Sequence, residues 1–249
     1  ASVVRDRIST DSWKILARVR RDCLSDRPSS TPQRSRGRGT DVLPLLDTLI
    51  LDLSAFAGLG TESMTRGPGW RFLDMGRRIE RALAAVHLLG AALVPPQPQA
   101  ADADSQRLEE MLLEIADSSM TYRNRYLGTL EAAPLIDLLV IDETNPRSIA
   151  FQIAALADHV ENLPHDASSP VLSGEQRSVM AALGLLRLAD VPALAARDPD
   201  GSRTQLGQML TRLDAFLKTC AESITHRYLV HAAPRRRLGV GLEAVDEGS

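Results

Sequence analysis

Aromatic side chains are scarce, with four Phe, two Trp and three Tyr in 249 residues. Strands draw on aromatic and β-branched residues, so this poverty counts against a sheet-built core, whereas abundant Ala and Leu favour closely packed helices. The two cysteines, Cys23 and Cys220, stand far apart in the chain. That excludes a disulfide framework and metal-type ligand spacing, and unpaired thiols in a reducing cytoplasm are the expectation. Ala1 opens the chain without an apolar signal-like segment. The longest apolar run, Leu43 to Leu59, is interrupted by Pro44, Asp47 and Asp52, and on this reading it is too short and too charged to span a bilayer. An excess of one charge is missing as well. The 29 Lys and Arg against 32 Asp and Glu leave a net charge of -3, which does not indicate a nucleic-acid protein. The expected class is cytoplasmic and helical, with no membrane or nucleic acid as partner.

Catalytic signatures are also missing. The chain has no nucleophile elbow, P-loop, dinucleotide glycine fingerprint or zinc-spaced Cys/His set, nor the paired Glu-x-x-His elements of a di-iron bundle. No metal site is therefore expected in this chain.

What is present is helical periodicity. Val3 to Leu24 reads as helix, broken near Ser9-Thr10-Asp11, where Thr10 or Asp11 can cap the segment carrying Trp13, Leu16 and Val19. Residues 25–40 are polar, basic and rich in Pro and Gly, as in a flexible linker. Leu43 to Gly58 has apolar residues at three- and four-residue spacing. A further helix runs from about Trp70 to Leu93, stopping before Pro95-Pro96. Leu108 to Tyr126 reads as one helix whose end turns polar and aromatic, and Pro134 opens a short apolar helix, Leu135 to Ile141. Asn145-Pro146 reads as cap and first residue of a helix with Ile149, Ile153, Leu156 and Val160 on its apolar stripe; Ser148, Gln152 and His159 line up opposite. Ser173 to Gln176 and Ser202 to Gln205 each match a capping box opening a long helix, the last reaching about His231. Residues 235–249 read as a disordered tail. No alternating strand pattern is present. The expected fold is all-α, an antiparallel bundle of about seven to nine helices in a single domain spanning residues 1–249.

The most informative stretch is the Gly67-Pro68-Gly69 break and the helix it feeds. At roughly 100° per residue, Phe72, Met75, Ile79, Ala82, Leu83, Val86 and Leu93 share one side. Arg71, Asp74, Arg77, Arg78 and Arg81 fill an adjoining arc about 120° wide, and Glu80 and His87 lie on the border. Guanidinium groups in such number suit carboxylate or phosphate, because the planar fork donates paired hydrogen bonds. The same arc also reads as a salt-bridged, solvated face, with Asp74 one turn from Arg78. Glu62 and Arg66 sit one turn apart just before the break. Tyr122, Arg123 and Tyr126 can stack on or hydrogen-bond a ligand, or close a helix end against a neighbour. Glu80 and His159 are the candidates for acid/base chemistry, provided that they converge on one cavity.

The segments GTESMTRGPGWRFLDMGRRIERA, ADSSMTYRNRY, PLIDLLVIDETNPRSIAFQIAALADHVENLP and VRDRISTDSWKIL strongly resemble the bacterial alpha-E domain family, over about Val4 to His231. The resemblance implies an all-helical domain fused to, or encoded beside, a circularly permuted ATP-grasp domain. It thereby implies a role in peptide or amide ligation, acting on a peptide or amino acid, with ATP and Mg²⁺ on the ATP-grasp partner in cis or trans and no cofactor in this chain. Its polar positions correspond here to Glu62, Ser63, Arg66, Asp74, Arg77, Arg78, Glu80 and Arg81, and to Ser119, Thr121, Tyr122, Arg123, Tyr126, Asn145, Arg147, Ser148, Gln152 and His159. Of these, Glu62, Arg66, Asp74, Arg77, Arg78, Arg81, Tyr122, Arg123, Arg147 and Gln152 are the expected substrate-binding set. Members usually begin with another helix pair bearing a second Gly-Arg-x-x-Glu-Arg-Ala-like element. Only the one at Gly76 to Ala82 is present, so the chain is expected to be a C-terminal piece or a truncated member, with the absent helices as one source of a partner and a homo-oligomer as another.

Overall fold

The computed structural model describes residues 9–25, 42–96, 102–164 and 171–229. It is all-α, with ten α-helices and no strand among the described residues. The chain divides into two compact units, residues 1–71 and 72–249. The expected linker, beyond Ser25, and the expected tail lie outside the described residues, as do Val3 to Ile8.

The first unit contains α1 (Thr10–Ser25) and α2 (Val42–Ser63). Ser9, one residue earlier than the expected Thr10 or Asp11, caps α1: its hydroxyl accepts from the Ser12 amide at 3.2 Å. Arg18 of α1 forks onto Asp52 of α2, its Nε donating to Oδ2 at 2.6 Å. Asp52 is 4% exposed, so one of the two charges that break the apolar run lies inside the helix pair, while Asp47 is exposed. Leu43, Ile50, Leu51 and Leu53 remain exposed. At 22 residues, α2 is also long and apolar enough, by length and composition alone, to cross a membrane. This corrects the shorter estimate, because the helix runs on past Gly58 to Ser63.

Helix α3 (Pro68–Leu93) starts at Pro68, two residues before the expected Trp70. Pro fits the first helical position, where its missing N–H is not needed, and the Arg71 amide closes the turn onto the Gly67 carbonyl at 3.2 Å.

In the second unit, the segment expected as one helix is two, α4 (Asp102–Ile115) and α5 (Ser119–Tyr126). Asp117 takes a left-handed backbone (φ 48°) between them, a conformation that Asp tolerates better than most residues. Next come α6 (Ala132–Ile136), a π-helical turn (Asp137–Ile141) and α7 (Ile149–Glu161). The cap of α7 is Ser148, whose hydroxyl accepts from the Phe151 amide at 2.9 Å. Asn145 instead makes the preceding turn, its side-chain oxygen accepting from the Arg147 amide at 3.1 Å, a local bond that competes with helix initiation.

Helix α8 (Gly174–Arg187) opens with the expected capping box of Ser173 and Gln176. Then follow α9 (Val191–Ala195), which the periodicity does not reveal, and α10 (Thr204–Ile224), continued by a π-helical turn, Thr225–Leu229. The second expected capping box does not form. Ser202 Oγ donates to Asp200 at 2.7 Å, while the Thr204 amide is taken by Asp198 at 3.0 Å, so neighbouring acids outcompete Gln205.

Helix α8 packs between α7 and α10, and the core continues through Met75, Val86 and Leu93 of α3 to Leu156, Leu186 and Leu213. Helices α3 and α10 approach so closely that a Cβ on Gly207 would lie 2.9 Å from Val94 Cγ1. Arg203, 3% exposed, closes the end of α3. It donates through Nη1 to the Leu93 carbonyl and through Nε to the Ala195 carbonyl, each at 3.0 Å, and so satisfies helix-end acceptors that have no partner within the helix.

Candidate functional site

The polar stripe of α7 is not a solvated face. Ser148, Gln152 and His159 are all buried; Gln152 and His159 meet Arg78 and Asp74 of α3, while the Ser148 hydroxyl donates to the Asp142 carbonyl. Both sides of this helix are enclosed, one by apolar neighbours and one by the polar groups of α3.

The centre of that polar layer is Asp74, 6% exposed. Its Oδ2 accepts from Arg78 Nε at 3.0 Å and pairs with His159 Nε2 at 2.8 Å, while Arg77 Nη1 lies 3.8 Å from Oδ1. The other ring nitrogen of His159, Nδ1, is buried. Burial works to raise the Asp74 pKa, but the hydrogen bond from His159 and the charge and hydrogen bond of Arg78 together prevail and hold it below the ordinary carboxylate value. Arg78 also donates through Nη1 to Gln152 Oε1 at 3.1 Å, and Gln152 Nε2 donates to the Pro146 carbonyl at 2.5 Å. Gln152 thus ties an arginine of α3 to the turn that carries Arg147. With both ends of its amide used, it acts as a positioning group.

Arg81 differs from its neighbours: among the described residues it has no hydrogen bond or ion pair. Although the residue is exposed overall, desolvation of its guanidinium, then the like charges of Arg77, Arg78 and Arg147, hold it below its usual value, against a smaller opposing pull from Asp74. The exposed Arg147 reaches Asp117 at 3.1 Å. Four guanidinium groups therefore share one region, and the carboxylates paired with them among the described residues are Asp74 and Asp117. Such an under-neutralised cluster is suited to an anion.

A second polar layer surrounds the π-helical turn. Tyr126 donates its hydroxyl to Asp137 at 2.5 Å, and Arg125 pairs with Asp142. Asp142 Oδ1 also accepts from the Thr144 amide and hydroxyl, at 2.8 and 2.7 Å. Burial raises the Asp142 pKa, but the Thr144 bonds and the Arg125 charge outweigh it, for a net lowering. The Tyr126 hydroxyl is pushed up by burial, then by Asp137. Tyr122 is buried; its hydroxyl accepts from the Glu131 amide at 3.1 Å and donates to Thr129 O at 3.4 Å. The two Tyr rings lie 5.0 Å apart.

Of the expected set, the second unit joins Asp74, Arg77, Arg78, Arg81, Arg147 and Gln152, with His159 beneath them. Tyr122 and Arg123 line a neighbouring cleft. Glu80 is exposed, six residues on from Asp74 and so about 120° around the helix from the carboxylate that holds His159. Glu62 and Arg66 belong to the first unit and are exposed. Arg66 donates to the Thr61 carbonyl at 2.7 Å and stacks 4.3 Å over the Trp70 ring. Sequence reasoning missed Arg125 and Asp142 as a pair, although the Asp-x-Thr spacing of Asp142 and Thr144 is a turn signal that marks the acid.

Of the carboxylates held below their ordinary values, Asp74 and Asp142 are the buried ones and contribute to acid sensitivity. Asp74 and Asp142 lie below the ordinary 3.8 when folded, so the unfolded chain takes up their protons first as pH falls. Their contribution is complete above about pH 5 and is lost as pH drops through 3.8 towards the folded values. Urea midpoints measured between pH 6 and pH 3 should fall at the acid end, and less steeply in Asp74→Asn; an unchanged midpoint would contradict this linkage.

Residues 1–229 match the family Alpha-E, described as a predicted alpha-helical domain with a conserved ER motif. The sequence has one Glu-Arg dipeptide, Glu80-Arg81, within the arginine cluster. The chain is 32% identical over 226 residues to uncharacterized protein Rv2567 of Mycobacterium tuberculosis (strain H37Rv), covering 90% of this chain and 24% of that protein. The same identity and coverage hold for uncharacterized protein Mb2597 of Mycobacterium bovis. The chain thus spans about a quarter of the length of these relatives. No solved structure matches.

Proposed function

The chain belongs to the Alpha-E family, and on that premise we propose that it is a helical binding module holding carboxylate or phosphate groups on Arg77, Arg78, Arg81 and Arg147. The observation that carries this reading is Arg81: an exposed guanidinium with no hydrogen bond or ion pair among the described residues, within electrostatic reach of three others. An anion there removes like-charge repulsion and gains charge-assisted hydrogen bonds at once. Asp74, His159 and Gln152 form the buried support that fixes Arg78 and the Arg147 turn.

In this proposal the module is cytoplasmic and serves an ATP-grasp-type ligation system, presenting an acid to a partner domain that holds ATP and Mg²⁺. The module supplies binding and orientation, while bond formation belongs to the partner. Calorimetric titration of the chain with succinate and with inorganic phosphate tests the binding step. Arg77→Ala/Arg81→Ala should weaken both at least tenfold with the helical circular dichroism unchanged. Equal affinity would reject the assignment.

A further inference from the structure

Beside the arginine cluster lies a cleft of about 740 Å³ at the α4–α5 break, within the size range of small-ligand sites. Leu113, Met120 and Leu130 make its apolar lining, next to Tyr122. Its charged lining is Glu110, Glu114 and Asp117, together with Arg123 of α5. Glu110 and Glu114 are one turn apart on α4, where like charges repel. Neither forms a hydrogen bond or ion pair through its side chain among the described residues.

The cleft and the cluster share a seam. Asp117 belongs to the cleft wall and accepts Arg147 at 3.1 Å, and Arg147 is within electrostatic reach of Arg81. A ligand crossing that seam passes from guanidinium groups to uncompensated carboxylates. A simple anion leaves the acidic wall unused, and a polyamine meets Arg123 and Arg147. The charge order fits a molecule carrying both signs.

We propose that the cleft and the cluster together bind a zwitterion, an amino acid or short peptide, with its carboxylate on Arg77 and Arg81 and its ammonium against Glu110 and Glu114. This rests on the anion-binding reading above and adds the amine pole. The apolar lining takes the backbone or side chain between the two ends.

Calorimetry on the full 249-residue chain with triglycine, N-acetyl-triglycine and triglycine amide separates the two claims. Triglycine should bind at least tenfold tighter than either blocked form. Glu110→Gln/Glu114→Gln, at exposed positions, should abolish the preference for a free amine and keep that for a free carboxylate. If the N-acetyl form binds as well as triglycine while Arg77→Ala/Arg81→Ala weakens both, the amine pole is wrong and the arginine reading stands. Binding that ignores the arginine substitutions, or no binding of any of the three, overturns both.

Discussion

Asp74→Ala should destabilise the second unit by about 3–5 kcal/mol, the range for removing one partner from a buried ion pair. Asp74 is the acceptor for both Arg78 and His159, so its removal leaves a partly buried guanidinium and a buried imidazole facing each other. Neither can turn to bulk water easily, with side chains 21% and 8% exposed. For a unit of this size the loss corresponds to a melting shift of about 10 °C. Asp74→Asn keeps the shape and one acceptor and should cost less. Thermal unfolding of the two variants measures the difference. A loss below about 1 kcal/mol for the alanine variant would mean that the pair behaves as a surface salt bridge.

The second large effect is expected at Arg203. This guanidinium carries no catalytic argument, yet it closes the carbonyl end of α3 against α9. Hydrogen bonds from a charged donor contribute about 1.5–3 kcal/mol each, so Arg203→Ala should cost about 3 kcal/mol. Burial, then the nearby charge of Arg197, holds the Arg203 pKa below its ordinary value, and Glu109 draws it partly back. Arg203→Met, which restores volume without donors, should recover little of the loss. Hydrogen exchange should show the extra opening first in the last turn of α3, at residues 90–93. Exchange unchanged there, with destabilisation elsewhere, would place the role of Arg203 outside the helix end.

The architecture was legible because periodicity and helix punctuation are local. The apolar stripe of α3, the stop before Pro95 and the Ser173 capping box all follow from spacing within a few residues. Three readings failed where a short-range competitor existed: Ser9 over Thr10 and Asp11, Ser148 over Asn145, and Asp198 with Asp200 over the Ser202 capping box. Each position offers several oxygens to the same amides, and only the three-dimensional turn decides among them. The polar stripe of α7 was legible as a stripe, but its partners were not. Nothing local reveals that Gln152 and His159 have partners 74 and 85 residues away. The arginine arc was legible as an arc; that Arg78 is committed to Asp74 and Gln152 while Arg81 is not depends on how α7 lies on α3.

The interruption at Ala116 to Ser118 carries one more implication. In an uninterrupted helix, adding or losing a single residue swings every later side chain by about 100°, so length changes are barred over its whole span. Here the phase is reset at Asp117. The wall built from α4 and the tyrosine layer built from α5 can each drift in length across a lineage without dragging the other out of alignment, which makes the recess between them easy to reshape.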